Sequence, residues 1–122
     1  MNASIKLVIL FGSQARGTAG DQSDADVAIL ADRPLEMEEK AGVAERFAKH
    51  LSISEDKIDI VDLWVAPSLL QHQVAQTGKL LEGDEFDFVR FKVLAWKRYQ
   101  DTAKFRRIRE EVLSKYVQGT HS

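Results

Sequence analysis

Cysteine is absent from the chain. That excludes disulfides and thiolate metal sites, leaves packing to hold the fold, and fits the cytoplasm as the expected location. Long hydrophobic runs are absent too. The apolar stretch from Ile5 to Phe11 falls far short of the roughly 18–20 residues that a membrane-crossing helix needs. It runs into a polar motif rather than a small-residue cleavage site, so neither export nor a membrane partner is expected. Strong charge of one sign is also missing. A formal net charge of −2 supplies no whole-molecule field for nucleic acid, and no direct nucleic-acid partner is expected. His50, His72 and His121 lack metal-ligand spacing and read as surface residues.

What is present is ordinary for a globular chain: 122 residues, 44% hydrophobic and 30% charged, expected to form one domain over 1–122. The charge is uneven, with a net −5 over residues 1–83 and a net +3 over residues 84–122.

Ile5 to Phe11 is apolar with almost no alternation, the pattern of a strand buried on both faces, and Gly12 ends it. Asp24 to Ala31 reads as a second strand, in which Asp24 and Asp26 share a face with Ala28 and Leu30. Asp32 is the expected N-cap of a helix with Pro34 in its first turn. Its apolar face is expected at Met37, Ala41, Ala44, Ala48 and Leu51, with Val43 and Phe47 beside it. Lys57 to Leu63 is a third strand, with Asp59, Val61 and Leu63 on one side and Ile58, Ile60 and Asp62 on the other. A helix from Ser68 to about Gln76 follows, then a short edge strand at Lys79–Glu82.

From about 84 to 117 there is no Pro or Gly, which predicts one long helix or two joined near Ala103. Phe86, Val89, Val93, Trp96, Tyr99 and Ala103 form the expected core stripe, widened by Phe88, Phe91 and Ala95. Phe105, Ile108, Val112 and Tyr116 make a second register, and the apolar surplus leaves room for a partner interface. Arg106, Arg107 and Arg109 read as a solvated face, and Trp64 as packing rather than base stacking. The fold class is α+β (α/β), a small mixed sheet flanked by helices.

Two carboxylates at alternate strand positions point the same way and can share a hard cation. Asp24 and Asp26 have that spacing, though Ser-Asp-Ala-Asp is also an ordinary polar turn. The Gly12-Ser13 turn would offer N–H groups and a hydroxyl to phosphates. A P-loop is excluded because Thr18 follows Gly17 where Lys is required. An EF-hand fails at Ala25, where an oxygen ligand is needed. A third carboxylate on a neighbouring strand would complete a two-metal clamp for phosphoryl displacement. Asp59 is the candidate and Asp62 its rival; strand alternation allows only one of them to aim at Asp24 and Asp26.

Gly12-Ser13, ten residues, then Asp24-x-Asp26 resembles the signature of nucleotidyltransferases built on the DNA polymerase β-like fold. With KIDIVDLWVAP and QTGKLLEGDEFDF, the chain more closely resembles the minimal nucleotidyltransferases, antitoxin partners of HEPN-domain toxins, over about residues 4–117. The resemblance implies that Asp24, Asp26 and Asp59 hold two Mg²⁺ ions, favouring Asp59 over a solvated Asp62. It implies that Gly12 and Ser13 contact the triphosphate of ATP. Arg16 faces phosphate or pairs with Asp21, and Ser23 caps the turn or touches nucleotide. The activity implied is transfer of AMP from ATP to a tyrosine hydroxyl of a HEPN ribonuclease toxin, in a type VII-like toxin–antitoxin pair, with homo-oligomers allowed. A contact-only antitoxin and an aminoglycoside-type nucleotidyltransferase are the alternatives. Many relatives carry a helix before the first strand, where only four residues stand here.

Overall fold

A computed structural model describes residues 3–12 and 24–120, with side chains up to residue 117. Four strands, β1 (Ile5–Phe11), β2 (Ala25–Ala31), β3 (Ile58–Asp62) and β4 (Lys79–Glu82), form one sheet in the order β3-β2-β1-β4. β1 pairs antiparallel with β2 and β4, while β2 and β3 run parallel, so the sheet is mixed. Among the described residues three α-helices flank it: α1 (Met37–Leu51), α2 (Ser68–Thr77) and α3 (Glu85–Thr120). Among the described residues, no helix is long and apolar enough to cross a membrane.

The lack of alternation in β1 follows from burial on both sides. Leu7, Ile9 and Phe11 face α2 and α3, where they join Ala28, Leu63, Val74, Phe88, Phe91 and Ala95. Val8, Val27, Ile29 and Ile58 face α1, against Val43, Ala44, Phe47 and Ala48. Removing a ring such as Phe91 from this core would cost about 3–5 kcal/mol.

Four expectations need correction. The first helix starts at Met37, not behind Asp32. The Asp32 carboxylate instead accepts the Ser4 N–H at 2.8 Å, and Glu39 Oε1 accepts the Glu36 N–H at 3.0 Å at the true helix start. Met37 is 86% exposed and Ala41 is also exposed, because α1 meets the sheet through Val43, Ala44, Phe47 and Ala48, with Leu51 packed against them.

α3 is a single helix with no break at Ala103, but the side facing the sheet is not the expected stripe. Phe88, Phe91 and Ala95 are buried, whereas Phe86, Val89, Val93 and Trp96 are exposed. Both sides of this half-helix are apolar, so periodicity cannot choose between them; packing against Leu7 and Phe11 does. His72 is half-buried rather than a surface residue, its ring stacked on Tyr99 at 4.0 Å.

Candidate active site

Strand register builds this site. Asp26 lies opposite Phe11 of β1 and beside Asp59 of β3. Because β1 is antiparallel to β2 and β2 parallel to β3, the end of β1 and the starts of β2 and β3 share one edge of the sheet. Gly12, Asp24, Asp26 and Asp59 therefore gather there, on the face that carries Phe11 and Ala28. Asp26 is half-buried, while Asp24 and Asp59 are exposed.

Gly12 has φ +76°, and a Cβ on it would stand 2.7 Å from Asp26 Oδ2. Glycine is thus required twice, for the left-handed turn and for the close approach of the carboxylate. Burial raises the Asp26 pKa above the usual carboxylate value, and the negative charges of Asp59 and then Asp24 raise it further. Like charges held this close are relieved by a cation. The donor set is all oxygen, which suits a hard ion such as Mg²⁺ completed by water and phosphate oxygens. Among the described residues, no three acidic or histidine side chains already form a closed metal cage.

Asp62 goes the other way. Alternation sends it to the α1 side, where it is 4% exposed rather than solvated. Its Oδ2 accepts the Leu35 N–H at 2.8 Å and its Oδ1 accepts the Trp64 N–H at 2.9 Å. Trp64 lies at the opposite end of the sheet from Asp26, 51% exposed, its Nε1–H donating to the Ala31 carbonyl at 2.7 Å. Ser13, Arg16 and Ser23 lie outside the described residues.

Sequence reasoning missed Gln71, which is 6% exposed. Its Nε2 donates to the Leu63 and Ala66 carbonyls, and its Oε1 accepts from Arg98 at 3.1 Å. A glutamine in a short helix carries no signal of this; only the fold reveals it.

The chain matches the family described as Polymerase beta, Nucleotidyltransferase over residues 1–87. It is 38% identical over 103 residues to the Protein adenylyltransferase MntA of Aphanizomenon flos-aquae, covering 74% of this chain and 67% of that protein. A solved toxin–antitoxin structure with AMP-PNP superposes with a TM-score of 0.73 at 33% identity, over 90% of this chain and 87% of that one. A tri-AMPylated Shewanella oneidensis HEPN toxin in complex with its MNT antitoxin gives a TM-score of 0.67 at 31% identity, over 90% and 84%.

Proposed function

The chain belongs to the polymerase β nucleotidyltransferase family, and from that premise we propose that it is a protein adenylyltransferase: it transfers AMP from ATP to a tyrosine hydroxyl of a HEPN toxin and so acts as the toxin's antitoxin in the cytoplasm. The observation that carries this reading is the side-by-side pairing of Asp26 with Asp59, with Asp24 at the same edge.

Asp24, Asp26 and Asp59 are the residues that would hold Mg²⁺, two ions in the full arrangement. Bound there, the metal supplies charge neutralisation for the phosphates and the attacking oxygen. Gly12 and Ser13 are the residues that would meet the triphosphate, through backbone N–H groups and a hydroxyl, and Arg16 and Ser23 are further candidates for phosphate contact. In the reaction the tyrosine oxygen bonds to the α-phosphorus of ATP, the bond from that phosphorus to the bridging oxygen breaks, and pyrophosphate leaves. The hydroxyl proton passes to the exposed carboxylate of Asp59. The chain's contribution is positioning and a fixed negative frame.

The test is to incubate the protein with Mg²⁺, ATP and the HEPN toxin and measure the toxin's intact mass. One or more added AMP units, lost in Asp24→Asn, is the expected result. An unchanged toxin mass with the wild-type protein overturns the reading.

A further inference from the structure

At the opposite end of the sheet from Asp26, α3 and the strand ends enclose a cleft of about 700 Å³. Leu30, Leu63, Trp64, Phe91 and Leu94 supply apolar walls, and Lys6, Arg90 and Arg98 supply positive charge. Arg98 is held by Gln71 Oε1, and Gln71 is itself anchored on two carbonyls.

The same side of α3 continues beyond the domain. Thr102 meets Ser68 of α2 at 3.2 Å, and every described side chain from 104 to 117 is exposed. Phe105, Ile108, Val112 and Tyr116 are 73%, 57%, 60% and 70% exposed. At about 100° per residue, Leu94, Arg98, Phe105, Ile108, Val112 and Tyr116 fall within one arc of roughly 80°. The cleft and the projecting arm therefore form one strip along a single side of α3, apolar except where Arg98 and Asp101 stand between Leu94 and Phe105. A helical arm of this length is marginal by itself in water, and an apolar strip of this size marks a protein interface.

The charge on this side selects the occupant. Arg90 and Arg98 stand within the strip and Arg109 and Lys115 at its margins, against Asp87 and Asp101, and Lys6 lies across the cleft. A second copy would set cations against cations, whereas an acidic partner is complemented. The family match ends at residue 87, before the arm begins. Resting on the functional reading above, we propose that the toxin docks in this cleft and along the arm, through an apolar ridge flanked by carboxylates, leaving the Asp26 end of the sheet open for transfer.

The experiment measures affinity between the purified full chain and the toxin by calorimetry, and self-association of the chain by sedimentation. Ile108→Asp with Val112→Asp is expected to keep the melting temperature and weaken binding on the order of 100-fold. It should raise KM for the toxin and leave kcat for AMP transfer unchanged. Arg98→Glu should weaken binding by about tenfold. Asp26→Asn and, on the opposite side of α3, Trp96→Asp, at a residue 57% exposed, should bind as the wild type does. Wild-type affinity in the Ile108/Val112 variant overturns this inference alone, as does loss of binding confined to Trp96→Asp. A wild-type dimer abolished by Ile108→Asp with toxin affinity intact would assign the strip to a second copy instead. A wild-type chain that neither binds nor modifies the toxin overturns the functional reading and this inference with it.

Discussion

The two ends of the sheet treat carboxylates in opposite ways. At one end Asp26 is pressed against Gly12 with Asp59 and Asp24 beside it, and it makes no hydrogen bond among the described residues. At the other end three carboxylates are answered. Asp32 accepts the Ser4 N–H, Asp62 accepts two backbone N–H groups, and Glu39 accepts those of Ala3 and Glu36 along with the Arg33 guanidinium. One set of acids holds the chain together. The other is assembled against its own repulsion, a cost that a fold retains only where an external cation or substrate returns it.

Asp26→Asn should break this contrast most visibly. Transfer is expected to fall on the order of 10³-fold, the scale of losing a principal electrostatic group. The melting temperature at pH 7 should rise in the same variant. Because burial and like charge raise the Asp26 pKa on folding, the contribution of Asp26 to wild-type stability is most favourable below the unfolded value of 3.8 and is lost as pH rises through the folded one. The variant's advantage should therefore vanish in melts below about pH 3.8. A melting temperature lower than wild type at pH 7 would contradict the assignment.

The answered end predicts the reverse pattern. Asp62→Ala leaves the Leu35 and Trp64 N–H groups without their acceptor. It should cost about 2–4 kcal/mol in urea unfolding. Transfer per folded molecule should stay within a few-fold of wild type. An inactive but fully stable Asp62→Ala protein would mean that the rival carboxylate, not Asp59, serves the site.

Glu39→Gln gives the smallest effect. Hydrogen bonding to Arg33 first, and to the Ala3 and Glu36 N–H groups next, lowers the Glu39 pKa to about 2. Its stabilising contribution is present above the ordinary value of 4.5 and is lost as pH falls toward 2. Melts across that window should be steeper for wild type than for Glu39→Gln, and parallel curves would refute the ion pair.

Period-two alternation made the strands legible, along with the sides of the sheet that Asp59 and Asp62 face, because a strand offers a side chain only two directions. What could not be read depended on partners distant in sequence. Asp32 looked like a helix cap until Ser4, 28 residues away, took its carboxylate. Asp62 looked solvated because nothing near it in sequence announces that Leu35 donates to it. Phe86, Val89, Val93 and Trp96 repeat as well as Phe88, Phe91 and Ala95 do, and only the shape of the sheet face decides between them. The separation of cleft and arm from the carboxylates follows from the parallel pairing of β2 with β3, which no local pattern encodes.

Among the described residues β3 is an edge strand, flanked by β2 on one side and by no strand on the other. Open edges of apolar strands recruit other strands, and charges placed within them are the usual defence against aggregation. Asp59 interrupts Ile58, Ile60 and Val61, so it guards the sheet's free border as well as facing Asp26. Replacing it with valine would create an uninterrupted Ile-Val-Ile-Val edge, and insolubility of that protein would masquerade as lost chemistry. Asparagine, which keeps the border polar, is the substitution that separates the two.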